Sequence, residues 1–434
     1  MFLIYFKMTI QEIHKLFLSC NSAVIDTRKI EINSFFVALK GERFDANIFA
    51  KEALEKGASY VLIDNQEYYI DNRTILVENC LTTLQILAKY HKEYLNIPII
   101  ALTGSNGKTT TKELILVVLS KKYKATATIG NLNNHIGVPL TLLSFTKETE
   151  IGIVEMGANH QKEIEFLCSI AQPDYGYITN FGKAHLEGFG GVQGVIQGKS
   201  EMYNYLKSNH KKVFVNLDDP IQDEKTNEIE RITFGSTSTS GTISIKNIVA
   251  NPLVNLQFHE IVVYSKLIGL YNANNISAAI TIGSYFGVSN IDIKEAIESY
   301  VPENNRSQLL TKGTNEIILD AYNANPSSML VALENFLQIE KSNKTIVIGD
   351  MFELGIESLA EHKSIINYLE SKENVCCYFI GTDFYNNKIE NPDFHFYKDF
   401  DSFSEFLKDK PFHNKSLLIK GSRGIALERT LEYL

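Results

Sequence analysis

Three α/β units, the second and third with doubly wound, largely parallel sheets, make up the fold class that the sequence predicts, and three observations predict it. The 434 residues provide for about three domains at roughly 150 residues each. From Pro98 onward strands and helices alternate around a glycine-rich turn, as parallel β-α-β units do. After a polar break at VPENNRSQ the alternation begins again. With 44% hydrophobic and 21% charged residues the chain can bury more than one core, which excludes a disordered, collagen-like or disulfide-scaffold protein.

Up to about Ile97 the runs SAVIDTR, FFVAL, SYVLID and TILVE read as short strands, with helices from Ala46 to Lys56 and from Leu81 to Tyr94. This defines an N-terminal domain over residues 1–97. A central domain, 98–311, opens with the strand IPIIALTG and the helix TTKELILVVLSKK, and continues through IGIVEM, YGYITN and KKVFVN with helical runs between them. Residues 231 to 270 instead read as appended hairpins (TISIKNIV, LVNLQFHEIVVYS), followed by a helix from Asn272 to Phe286. The C-terminal domain, 312–434, alternates EIILD, KTIVIGD, VCCYFIG and SLLIKG with helices. Hinges are expected near Pro98 and Lys312.

The formal charge is −9 and no long basic block occurs, which argues against nucleic-acid or anionic-membrane binding, because neutralising phosphates needs clustered Lys and Arg. The run KSNHKK reads as a solvated loop. The cysteines Cys20, Cys80, Cys168, Cys376 and Cys377 form no CxxC, and the adjacent pair sits in an apolar run like core residues, as expected in a reducing cytosol. The apolar start MFLIYFK meets the polar stretch Gln11 to Lys15 before a signal-peptide core of about 7 to 15 residues is reached. Met8 is an alternative start. A soluble, cytoplasmic monomer is expected.

The strongest motif is Thr103 to Thr110, TGSNGKTT, between a strand and a helix. There the backbone N–H groups of Gly104, Ser105, Asn106 and Gly107 and a helix N-terminus can cradle phosphate. Lys108 would neutralise β and γ phosphates, Thr109 offers Mg²⁺ a hydroxyl, and Thr110 or Thr111 supports the same turn. The common phosphate-loop pattern places its first glycine where Leu102 stands; here the first glycine is Gly104.

Other residues admit two readings each. Glu155 ends a buried strand where a carboxylate can face a phosphate crevice, or it is a strand-end surface acid. His185, in ITNFGKAHLEGFGG, suits a metal ligand or a solvated loop. Lys199, in GKSEM, reads by position alone as a solvated helical lysine. Asn131, Asn133 and Asn134 offer amides to a peptide or sugar, or simply form turns. Asn272 and Asn275 lie one turn apart and can meet a flat heterocycle, or Asn272 caps its helix. Arg306 stands in a polar junction. DAYNANPSSM runs from a strand end at Asp320 into a helix at Pro326, with Asn325 as its cap. Ser422 and Arg423 are expected at a helix N-terminus, for capping or for a carboxylate.

TGxNGKT resembles the phosphate loop of the Mur ligase family, which joins carboxylates to amines through an acyl phosphate and includes folylpolyglutamate synthetases. EMGANH, ITNxGxAHLExFG, KSE, NxNNxIGVPLTLL and DAYNANP resemble the branch that adds D-alanyl-D-alanine to UDP-N-acetylmuramoyl-tripeptide. IGLYNANNISAA is similar to the family's GxHNxxNxxAA with Tyr271 in place of His, and Asn305 stands where Gly is usual. The segment from Ser22 to Phe49 resembles the family's uridine-diphosphate module, so the resemblance spans all three domains.

The resemblance implies ATP and two Mg²⁺ ions, with Thr109, Glu155, His185 and a carbamylated Lys199 as metal ligands. It implies adenine contacts from Asn272 and Asn275, a nucleotide contact from Arg306, and ribose binding by Asp320. Asn131, Asn133 and Asn134 would lie around the sugar-peptide. Thr27, Arg28, Phe44, Asp45 and Asn47 would line the nucleotide-sugar site. Tyr322, Asn323, Asn325, Ser328, Ser422 and Arg423 would face the dipeptide or the domain cleft. The alternatives are the family's third-residue-adding ligase, whose S-S-H and D-Y-A-H-T-P segments are replaced here by GANH and AYNANP, a folylpolyglutamate synthetase, and a phosphate-loop regulator without ligase activity.

Overall fold

The computed structural model describes residues 8–236, 241–302 and 305–434. The apolar start MFLIYFK, four residues of the hairpin region (237–240) and two of the polar break (303–304) lie outside the described residues. Two compact units are formed: Met1–Leu102 with Tyr123–Gly157 and Glu163–Gly176, and Thr103–Lys122 with Ala158–Lys162 and Tyr177–Leu434.

In the first unit the strands Ser22–Val24, Ser34–Val37, Ala58–Ile63 and Thr74–Leu76 form a parallel sheet in that spatial order. Alanines at 46, 50 and 53 recur at helical spacing and pack on Phe36, Val61 and Ile63. Their small side chains let that segment lie close to the sheet. The helix expected from Ala46 to Lys56 is split into a 3-10 turn, Ala46–Phe49, and an α-helix, Ala50–Glu55, because Asp45 caps the turn through the N–H of Asn47. The expected second helix spans Cys80–Leu95 and is capped by Asn79. Also in this unit, Ile151–Glu155 runs parallel to Ala125–Ala127 on one side and to Ile99–Leu102 on the other.

In the second unit Lys212–Asn216 pairs in parallel with Glu230–Gly235, whose end pairs in parallel with Ile243–Ala250. The strand at 230–235 therefore belongs to the parallel part of the sheet rather than to the hairpins, because the helix Pro220–Lys225 carries the chain back before it. Ile243–Ala250, Leu253–Phe258 and Ile261–Ile268 then form the expected antiparallel hairpins. The C-terminal sheet has the order Gln308–Lys312, Asn315–Asp320, Ser416–Lys420, Lys344–Gly349, Val375–Ile380, Phe394–Tyr397. It is parallel except for its first hairpin. Its core packs Tyr378, Phe400, Phe403 and Phe412 against Ile317, Leu319 and Ile419. The two outermost strands had no counterpart in the sequence reading. Among the described residues no helix is long and apolar enough to cross a membrane.

Candidate active site

The buried strand ending at Thr103 leads into Gly104 and then into the helix Lys108–Leu119, which has no side-chain cap. The first-turn N–H groups are thus left for an anion. Gly104 has φ +146° and a Cβ there would lie 1.9 Å from Oγ1 of Thr179; Gly107 has φ +78° and a Cβ would lie 2.7 Å from Oδ1 of Asn275. Both conformation and space demand glycine at these two positions, which explains why the loop keeps them while Leu102 is free to fill the core. Lys108 Nζ lies across the loop and donates to the carbonyls of Gly104 at 2.6 Å and Ser105 at 3.4 Å.

The segment after Ile178 braces this loop. Thr179 N–H donates to Thr103 O at 2.9 Å, Thr179 Oγ1 donates to Asn106 O at 2.6 Å, and Asn180 bonds both the N–H and the carbonyl of Asn106. Ser105 Oγ donates to Gly182 O at 2.5 Å. Thr179 and Asn180 were missed in the sequence reading, although ITNFG was visible as the segment carrying His185. On the far side, Asn325 Nδ2 donates to Asn106 Oδ1 at 2.7 Å.

Of the expected metal ligands, Thr109 is buried at the first helical turn. Glu155 is 2% exposed, which removes the surface reading. Its Oε1 accepts from Asn133 Nδ2 at 2.8 Å, while its Oε2 is buried with no hydrogen-bond partner. An orphaned carboxylate oxygen of this kind fits a hard cation. His185 sits at φ +53° and its Nδ1 meets a carboxylate oxygen of Glu353.

Lys199, in the helix Val192–Ser208, is 1% exposed and not the solvated lysine its position suggests. Burial, and secondarily the charge of Lys108, pulls its ammonium well below the ordinary lysine range. Its Nζ lies 5.3 Å from the centre of the Phe189 ring. A shift in this direction favours the unprotonated, nucleophilic amine.

Asn272 and Asn275 are buried in the helix Tyr271–Tyr285 and do not cap it. Asn272 Nδ2 donates to Ile268 O at 2.8 Å, Asn275 Nδ2 to Asn272 Oδ1 at 2.7 Å, and Thr111 Oγ1 to Asn275 Oδ1 at 3.0 Å. The pair therefore ties this helix to the phosphate-loop helix. Tyr271 shares a 2.5 Å hydrogen bond with Ser307, and burial raises its phenol.

Asp320 ends its strand between Ser307 N–H at 3.2 Å and Lys420 Nζ at 2.6 Å. Lys420 is buried and also donates to Asn323 O at 3.2 Å; the sequence reading missed it. A small cavity is lined by Ile268, Tyr271, Asp320, Asn335 and Phe336. The Arg306 guanidinium stacks 3.6 Å from the centre of the Tyr322 ring, and that of Arg423 lies 5.3 Å from the same ring. Asn325 and Ser328 form a reciprocal capping box on the helix Pro326–Gln338.

Ser422 is buried, accepts from Phe352 N–H at 3.0 Å and donates to Ala324 O at 3.4 Å. Ser422 and Arg423 are not at a helix N-terminus, as expected, but in turns before the 3-10 helix Leu427–Tyr433. The hydrogen bonds of Ile425 and Ala426 N–H to Ser422 and Arg423 O close those turns first. Asp350, His362 and Asp383 also approach one another. However, His362 Nε2 accepts from Met351 N–H, its Nδ1 bonds Ser358 O, and Asp350 accepts from Asp383 and Phe384 N–H, so this group holds the fold.

In the first unit, Phe44 is exposed and stacked on Phe49. Residues 40–45 form a small hairpin. Asp45 is spent on the Asn47 amide, and Asn47 is fully buried, clasping Asp64 in both directions at 2.9 and 3.0 Å. Thr27 and Arg28 lie in the 3-10 turn Thr27–Lys29, capped by Asp26, and the guanidinium pairs with Asp26 at 2.7 Å. Asn131 is exposed, whereas Asn134 Oδ1 accepts from the N–H groups of Ile136 and Gly137 at 3.1 and 2.9 Å in the turn that leads into the helix Gly137–Leu143.

Comparison with known proteins adds to this geometry. Residues 102–283 match the Mur ligase middle domain, and residues 305–423 match the Mur ligase, glutamate ligase domain. The UDP-N-acetylmuramoyl-tripeptide--D-alanyl-D-alanine ligase of Bacillus subtilis is 36% identical over 345 residues, 78% of this chain and 75% of that protein. The crystal structure of MurF from Acinetobacter baumannii is similar with a TM-score of 0.85 at 30% identity, covering 98% of both chains. MurF ligase from Thermotoga maritima in complex with ADP has a TM-score of 0.82 at 27% identity, covering 96% of this chain and 97% of that one.

Proposed function

The chain belongs to the Mur ligase family, and from that membership we infer that it is the ATP-dependent ligase that adds D-alanyl-D-alanine to UDP-N-acetylmuramoyl-tripeptide. The products are the pentapeptide precursor of peptidoglycan, ADP and phosphate. The observation that carries the reading is the uncapped helix behind Gly104–Gly107 with Lys108 across it, a phosphate cradle braced from both sides by Thr179, Asn180 and Asn325.

The tripeptide's terminal carboxylate oxygen attacks the γ-phosphorus and ADP leaves. The dipeptide amine then attacks the acyl carbon, loses a proton and expels phosphate. No protein nucleophile is needed, so the protein supplies position and charge. Lys108 swings from the Gly104 and Ser105 carbonyls to the β and γ phosphates, and the loop N–H groups orient them. Asn272 and Asn275 contact adenine, Asp320 takes the ribose, and Arg306 reaches the nucleotide from its stack on Tyr322. Arg423, beside the same ring, receives the dipeptide carboxylate, with Asn323 and Tyr322 around it.

Thr109, Glu155, His185 and Lys199 would hold two magnesium ions. Magnesium there supplies neutralisation of the phosphate charge as it shifts. The orphaned Glu155 oxygen and the burial of Lys199, which lowers its ammonium well below the ordinary lysine range, support this set. Lys199 plus CO₂ would give a carbamate and a proton, replacing a side chain that repels cations when protonated with an oxygen ligand. Asn133 orients Glu155, and Phe44 and Arg28 offer a stacking face and a cation to the nucleotide-sugar. Asn131 is assigned to the sugar-peptide. We assign hinges near Pro98 and Lys312, domains over residues 1–97, 98–311 and 312–434, a monomeric state and a cytoplasmic location. ADP formation measured with the tripeptide, with and without D-alanyl-D-alanine, tests the function: turnover needs both, and turnover indifferent to the dipeptide overturns it.

A further inference from the structure

Glu353 and His185 meet although 168 residues separate them in the chain. A carboxylate oxygen of Glu353 accepts from Nδ1 of His185. The same two loops touch at two more points: Glu187 N–H donates to Glu353 O at 3.3 Å, and a Cβ on Gly355 would stand 3.1 Å from Cβ and Cγ of Glu187. Both partners have left-handed backbone, φ +53° at His185 and +62° at Glu353. Residues other than glycine hold that conformation only where their surroundings over-determine it, which happens preferentially at functional sites. The His185 loop is also anchored at Lys183, whose Nζ pairs with Glu361 at 2.6 Å and whose N–H donates to Ser327 Oγ at 2.8 Å.

An imidazole that gives its Nδ1 proton to a carboxylate presents its Nε2 lone pair, and a metal-binding histidine is ordinarily oriented by such a partner. We propose that Glu353 is a positioning residue that holds the His185 ring with Nε2 as the free donor to a divalent cation, so that cation binding requires the 350–357 loop to be seated on the His185 loop. This rests on the metal role given to His185 above. It adds to that role a carboxylate that is not itself a ligand and that comes from the C-terminal sheet.

The test is Mn²⁺ binding to the full-length protein with ADP present, followed by electron paramagnetic resonance without turnover. Glu353→Ala weakens Mn²⁺ roughly 10- to 100-fold, as expected for losing an orienting partner, while Glu353→Gln, which keeps an acceptor for Nδ1–H, stays within about threefold. Glu353→Gly repeats the loss with a backbone at ease at positive φ, which guards against a folding artefact. Wild-type affinity in Glu353→Ala overturns the inference. Glu353→Gln as weak as Glu353→Ala also overturns it, because Glu353 would then be a ligand. A His185→Ala variant that binds Mn²⁺ like wild type instead removes the metal reading of the site, whatever Glu353 does.

Discussion

Asn325 donates from Nδ2 to Oδ1 of Asn106 at 2.7 Å, so the cap of a C-terminal helix and the tip of the phosphate loop share one amide pair. The same Asn325 accepts from Ser328 N–H with its oxygen. One side chain therefore serves the helix and the loop at once.

The two duties of Asn325 separate by substitution. Asn325→Ser keeps a capping oxygen but cannot reach Asn106, so the apparent KM for ATP rises several-fold while the urea midpoint moves little. Asn325→Ala loses both, and the cap alone costs about 1 kcal/mol. Steady-state kinetics beside urea unfolding checks this; equal KM values in wild type and both variants would show that the Asn106 contact has no part in nucleotide use.

The loop itself makes a sharper prediction. Gly104→Ala places a Cβ where Thr179 Oγ1 stands and strains a backbone at φ +146°, so ATP turnover falls at least about 100-fold. Thr179→Ser, which keeps the hydroxyl bonded to Asn106 O, retains most activity, and Thr179→Val does not. Turnover rates of the three variants decide it.

Lys199 predicts a dependence on dissolved CO₂. Burial lowers its ammonium well below the ordinary lysine range and so favours the reactive unprotonated amine, and activity falls in CO₂-depleted buffer and returns with bicarbonate. Lys199→Ala loses activity and regains part of it with a short-chain carboxylate. Persistent full activity in Lys199→Ala would remove the carbamate.

A pH effect is expected from the first unit. His14 Nε2 and His91 Nδ1 share a 2.9 Å hydrogen bond, and His91 Nε2 meets Phe145 O at 2.9 Å. Burial first, and then His91, lowers His14 to about 4, and burial lowers His91. Below the unfolded histidine range near 6.5 the unfolded chain binds protons that the folded one refuses, so stability falls as pH drops from about 6.5 toward 4, by on the order of 2 kcal/mol. Urea midpoints across that range should fall less steeply for His14→Gln than for wild type; parallel slopes would contradict the linkage.

What was legible in the sequence was local. Gly104, Gly107 and Lys108 declare themselves because turn, strand and helix lie within one short segment, and Pro326 after Asn325 marks a helix start in the same way. Asn47 and Ser422 are implied by motif to face substrate, whereas their burial and their bonds to Asp64 and Phe352, partners elsewhere in the chain, are tertiary features that motif alone does not disclose. Lys420 looks like a strand-end lysine until the parallel register sets it beside Asp320. Lys199 likewise gains its chemistry from burial, which spacing alone does not disclose.

The most direct test of the acyl-phosphate account is oxygen transfer. UDP-N-acetylmuramoyl-tripeptide labelled with ¹⁸O in its terminal carboxylate is turned over with ATP and D-alanyl-D-alanine, and the phosphate is analysed by mass. One labelled oxygen per phosphate, matching the pentapeptide formed, is the predicted result; pentapeptide formed alongside unlabelled phosphate would contradict phosphorylation of the carboxylate and with it the mechanism.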